Sequence, residues 1–97
     1  MNKLQLTILA VIASIFANNA SAFDPDDLQK LKDTLSCVQC NLRDADLIGV
    51  DLRGATLDRA DLSNANLKDA MLGGAIMRGV ILCNTTMPDG SVTYSGC

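Results

Sequence analysis

Between Cys40 and Met87 the chain repeats every five residues, and no ordinary secondary structure has that period. The unit centres are Leu42, Leu47, Leu52, Leu57, Leu62, Leu67, Leu72, Met77, Leu82 and Met87. Two residues before each centre stands a small one: Cys40, Ala45, Val50, Ala55, Ala60, Ala65, Ala70, Ala75, Val80 and Thr85. On an α-helix, five residues advance the side-chain direction by about 140°, so the leucines would spiral over the whole surface. On a strand, an odd period sends successive leucines to opposite faces. The pattern is coherent if the chain turns a corner at every unit. Four corners close a square coil of about 20 residues, and coils stack at roughly the 4.8 Å strand spacing. Every central Leu then points to the axis, with the small residue filling space beside it. Gly49, Gly54, Gly74 and Gly79 fall near corners, where tight backbone is needed.

The motif Ala-(Asp/Asn)-Leu-x-x is that of the pentapeptide-repeat family. Ala45-Asp46-Leu47, Ala60-Asp61-Leu62 and Ala65-Asn66-Leu67 match it fully, and the chain resembles that family from Cys40 to about Met87. The resemblance implies an all-β solenoid, a right-handed quadrilateral β-helix. The repeats suffice for about two and a half coils, with stacking partners twenty residues apart. Leu62 lies between Leu42 and Leu82, and Asp58 lies under Arg78 as an exposed pair worth about 0–1 kcal/mol.

A solenoid exposes an apolar cross-section at each end and needs caps. A short N-terminal α-helix is expected as one. Asp24 suits the N-cap, Pro25 the first helical position, and Asp26 and Asp27 the first turn. Phe23 and Leu28 form a hydrophobic staple, and Leu28, Leu31 and Leu35 share the face toward the first coil. At the other end, Pro88-Asp89-Gly90 signals a turn and Val92-Thr93-Tyr94 a short strand against the last coil. Met71, Ile76 and Ile81 occupy outward positions that earlier units give to polar residues. The simpler reading is that the tail covers them; the sharper is a patch for self-association or a partner.

The first residues carry a different signal. Lys3, the apolar run from Leu6 to Phe16 and the small-x-small Ala20-Ser21-Ala22 read as a secretory signal peptide cleaved after Ala22. The run is shorter than the roughly 20 apolar residues of a spanning helix. The division is therefore 1–22 signal peptide, 23–39 capping helix and CxxC, 40–89 β-helix and 90–97 tail. A periplasmic or secreted location follows, with no membrane attachment after cleavage. In such a compartment four cysteines in a small domain read as disulfide staples. Three pairings exist. Cys37 with Cys40 and Cys83 with Cys97 is the expected one, because the two pairs belong to opposite ends of the solenoid. The second closes a loop of about 15 residues, worth roughly 3 kcal/mol.

The same composition limits the chemistry. There is no His, all 11 acids are Asp, and the formal net charge is −3. An acidic chain with few aromatics is poorly suited to a phosphate backbone, so nucleic acid is not an expected partner. No Ser has a partner base and no Gly-rich loop forms a phosphate cradle. Zinc would want two closely spaced pairs or added His, so no metal or cofactor is expected. The Cys37-Val38-Gln39-Cys40 motif would be a redox pair in a thioredoxin-like unit, but here it joins a helix to a coil. Asp46, Asp51 and Asp61 stand where the family motif prefers Asp or Asn. The reading is a non-enzymatic exported structural or protein-interaction scaffold with an unidentified protein or peptide partner. Two alternatives differ in class. The quinolone-resistance members of the family resemble DNA and bind gyrase, a role at odds with export and a short stack. A thiol–disulfide enzyme would use Cys37 and Cys40. Intact-mass analysis of the exported protein checks the frame: the expected chain begins at Phe23 and carries no free thiol.

Overall fold

The computed structural model describes residues 22–97, so the expected signal peptide lies almost wholly outside the described residues. Parallel bridges join residues twenty apart along the repeat. They run Ser36 to Thr56 to Ile76, Asn41 to Asp61 to Ile81, Asp46 to Asn66 to Thr86, and Asp51 to Met71. The repeat is thus a β-helix in which one coil takes twenty residues. Each bridge stands alone because the chain spends only two or three residues on a side before it turns.

The backbone shows why five residues suffice. In the unit from Ala60 to Asn64, the central Leu62 N–H donates to Ile81 in the coil above, and Asn64 N–H donates to Cys83. Asp61 N–H donates to Cys40 in the coil below, and the next Ala65 N–H closes the corner onto Leu62 at 3.0 Å. The fifth N–H, on Ser63, is taken by the Asp61 carboxylate at 3.0 Å. Asn41, Asp46, Asp51 and Asn66 do the same for the residue two ahead. The motif's Asp/Asn is therefore the acceptor for the one donor that the ladder leaves over. The residue before each small one carries a positive φ, as in Asp44, Gly49, Gly54 and Asn64. That is the third position of a type II turn, which favours Gly or Asn.

Leu42, Leu47, Leu52, Leu57, Leu62 and Leu67 are completely buried, with Ala45, Ala55, Ala60 and Ala65 packed beside them. Burial of each Leu side chain stabilises the fold by about 1.5–3 kcal/mol. The axis does not enclose all ten expected centres. Leu72, Met77, Leu82 and Met87 are only half-buried, packed against the core from above. They belong to the uppermost coil, and among the described residues no further coil lies over them. Thr85 fills a small-residue slot fully buried, its hydroxyl donating to the Leu62 carbonyl at 2.7 Å.

Helix α1 spans Pro25–Thr34. Asp24 caps it by accepting from Asp26 N–H at 2.9 Å, and Leu35 ends it in the left-handed conformation, its N–H returning to Leu31. Leu31 is fully buried, and Phe23, Leu28 and Leu35 pack against the same core. The helix also supplies what a lower coil would have supplied. Asn41 N–H donates to the Asp27 carboxylate at 2.8 Å, and Asp24 N–H donates to the Asn41 carbonyl.

At the other end, β1 (Leu82–Thr86) pairs antiparallel with β2 (Val92–Ser95). The register slips between Cys83 and Thr85, where Asn84 turns a corner with φ 55°. The expected turn closes through Gly90 N–H to the Met87 carbonyl, and Asp89 accepts from Ser91 N–H and Oγ–H.

The contrast between enclosed and half-covered centres can be measured. Leu62→Ala should cost about 2–5 kcal/mol, the range for buried Leu truncation, and Leu72→Ala roughly half as much. Urea unfolding of the two variants checks this; equal losses would contradict the open top of the stack.

Candidate functional site

Both expected cysteine pairs are formed, Cys37 with Cys40 and Cys83 with Cys97, with Cα separations of 5.3 and 5.0 Å. Cys37 is fully buried and Cys40 nearly so. Thiol exchange needs an accessible sulfur for attack, and this pair sits instead in the floor of the stack between α1 and the first coil. Cys83 lies in β1 and Cys97 just past β2, so the second bridge pins the hairpin. Both pairs act as staples.

The outward carboxylates have structural work in the turns. Arg53 donates through Nε and Nη2 to Asp51 at 2.9 and 2.8 Å, and its backbone N–H adds a third bond at 3.1 Å. The guanidinium bonds first, and the backbone bond second, hold the Asp51 carboxyl at about 2. Asp58 was expected as half of an exposed pair, but its side chain is only 14% exposed against 81% for Arg78. The reason lies in the repeat. Ile76 occupies the place of the motif's Asp/Asn and cannot accept the spare N–H of Arg78. Asp58 accepts it from the coil below at 3.1 Å, and also binds the Arg78 side chain at 2.7 and 3.1 Å. The Arg78 guanidinium therefore holds Asp58 below the usual carboxylate range, against a partial burial that pushes it up. Above the corner that Asn64 forms, Asn84 Nδ2 donates to Asn64 Oδ1 at 2.8 Å, joining residues twenty apart.

The three outward apolar residues do not share one fate. Met71 is 43% and Ile76 44% exposed. Ile81 is half-buried, and Gly96 lies so close that a Cβ on it would come within 3.3 Å of Ile81 Cα. The tail thus covers Ile81 and leaves Met71 and Ile76 uncovered. Pro88-Asp89-Gly90 reverses the chain at once, so β2 runs back along β1 and never crosses the two sides before it. Residues five apart are a quarter-coil apart, so Met71 and Ile76 occupy adjacent sides of the stack.

Those two sides form an open edge. The N–H groups of Leu72, Gly74, Met77 and Gly79 correspond to groups that donate upward in lower coils, as Leu52, Gly54, Leu57 and Arg59 do. In the top coil they meet no acceptor among the described residues. Sequence reasoning found the exposed apolar pair but not the unpaired backbone beside it; the count of units against twenty-residue coils was the available signal. Among the described residues, no three Cys, His, Asp or Glu side chains gather as a metal site would require.

A family model described as pentapeptide repeats matches residues 38–87 in eight copies. The chain belongs to the pentapeptide-repeat proteins, whose fold is a right-handed β-helix and which are generally non-enzymatic. A similar solved structure is that of HetL, a pentapeptide repeat protein involved in heterocyst differentiation regulation in the cyanobacterium Nostoc sp. strain PCC 7120. It is 23% identical, with 60% of this chain and 51% of HetL covered and a TM-score of 0.30. This chain thus spans about half of HetL. No curated protein matches the sequence.

The shifted carboxylates make stability depend modestly on acid. The pKa values of Asp51, Asp58 and Asp89 are all lowered by their partners. Their stabilisation is therefore complete above the unfolded value of 3.8 and is lost as pH falls through the folded values, which for Asp51 is about 2. Urea midpoints should hold steady down to about pH 4 and then drop toward about pH 2. Asp51→Asn should make that drop shallower; an unchanged slope would remove Asp51 from the account.

Proposed function

We propose that the chain is an exported, non-enzymatic scaffold that holds an extended segment of a partner protein along the open edge of its last coil. The fold proposed for it is a quadrilateral β-helix of about two and a half coils. Helix α1 closes the bottom, and the β1–β2 hairpin closes part of the top. The observation that carries the functional reading is the edge itself: Leu72, Gly74, Met77 and Gly79 N–H groups that meet no acceptor among the described residues, beside Met71 and Ile76. A strand laid there would pair with the backbone and cover the half-buried Leu72 and Met77, the two sources of affinity in strand addition. Unpaired edges that a protein leaves uncovered invite such pairing. The export reading draws support from the signal-like residues 1–22 and from cysteines paired at both ends, since disulfides persist in oxidising compartments.

Site-specific photocrosslinking tests the reading in the exporting cell. A photoreactive residue at position 71 or 76 should capture a partner, and one at Ile48, which is 49% exposed in a lower coil, should not. In the purified pair, Met71→Asp with Ile76→Asp should weaken binding about tenfold or more, as loss of interface anchors does. Equal capture from position 48 would defeat the proposal. Capture of a second copy of the chain would replace a foreign partner by self-association.

A further inference from the structure

Nine corners from Asp44 to Asn84 place a residue at positive φ, and at eight of them that residue is Asp, Asn or Gly. These are the types that tolerate the left-handed region. Arg59, at φ 58°, is the exception in that span, and Gln39, one coil below it, shares the conformation at φ 59°. A residue held in a disfavoured conformation is an observation from which function can be argued, provided the surroundings supply a use for it.

The surroundings do. Asp58, Arg59, Arg78 and Gly79 line a recess of about 420 Å³. Gly79 stacks over Arg59, and a Cβ on it would lie 3.1 Å from Arg59 Cγ, so the bare glycine leaves room for the arginine stem. Arg43, Arg53 and Arg78 each pair with an aspartate, whereas the Arg59 guanidinium joins no ion pair among the described residues. Asp58 fixes Arg78 through Nε and Nη2, leaving Nη1 uncommitted. Two guanidinium groups against one carboxylate give the recess a net charge of about +1 at neutral pH, in a chain whose formal charge is −3.

We infer that this recess binds an oxyanion, the carboxylate or phosphoryl group of a ligand. Arg59 supplies an unpaired guanidinium fork, whose geometry matches two oxygens of such a group. Arg78, held in place by Asp58, supplies the second cation. Gly79, lacking a side chain, leaves room beside the Arg59 stem. The site stands on the side of the stack that carries Ile76 but does not depend on a partner strand at the edge.

The test is an NMR titration of the labelled chain with inorganic phosphate and, separately, acetate, at constant ionic strength. The Nε–H signal of Arg59 and the backbone signal of Gly79 should move and saturate. They should do so equally in Arg53→Gln, which removes an arginine already committed to Asp51. In Arg59→Asn the Gly79 response should vanish while the melting temperature rises, because Asn suits the left-handed corner better than Arg. Saturation with phosphate alone assigns a phosphoryl group, and with acetate alone a carboxylate. Linear, non-saturating shifts with both anions would overturn the inference, as would a Gly79 response unchanged in Arg59→Asn. A lower melting temperature for Arg59→Asn would remove the strain on which the inference partly rests.

Discussion

The backbone hydrogen bond between residues about twenty apart is the constraint on which the rest of this molecule depends. It fixes where each corner stands, and the corners fix where each leucine points. Leu62 is buried because its N–H must meet Ile81 and the N–H of Asp61 must meet Cys40. Once those bonds are made, the side chain between them can only face the axis. The apolar core is a consequence of backbone pairing as much as its cause. In an ordinary sheet, long strands share that duty over many residues. Here two or three residues on each side do so, and the disfavoured corner conformation is repeated at every unit. Gly, Asn and Asp make that repetition inexpensive.

The ends show what happens where the repeat has no neighbour. At the bottom, Asp27 stands in for a carbonyl and Leu31 for a leucine of a missing coil. At the top, the hairpin covers the side of Leu82 and Ile81 and leaves the sides of Leu72 and Met77 half-open. The two disulfides sit where pairing is least redundant, one beneath the first coil and one at the last residue. Surface ion pairs such as Arg53 with Asp51 add little to stability in water. What they do contribute is present while the carboxylates are ionised and is lost in acid.

Much of this was legible in the sequence, for a reason that can be named. The central leucines, the small residues and the stacking of Asn84 over Asn64 follow from one integer, five, and from the number of sides in a coil. The capping of α1 follows from local chemistry at Asp24 and Pro25. The features that were not legible arise between coils or at the ends. Asp58 reads as a surface acid until Arg78 is seen to need an acceptor that Ile76 cannot provide. Leu72, Met77, Leu82 and Met87 look like Leu62 in the repeat and differ in having no further coil above them among the described residues. Whether the tail covered Ile81 alone or all three outward residues turned on the direction in which β2 left its turn. Arg59 carries no sequence signal beyond being the wrong type at a corner whose conformation was not yet known.

The spacing of the bridges also governs how such a chain can change in length. An insertion of one or two residues within the stack would leave every later leucine facing a wall rather than the axis. Five inserted residues restore the leucines but rotate all that follows by a quarter-coil, carrying the hairpin and its disulfide to another side. Only a whole coil of twenty leaves the upper end above the same faces of the lower one. The molecule therefore resembles a stack of interchangeable storeys whose height can vary only in full floors, with the roof and foundation as its individual parts.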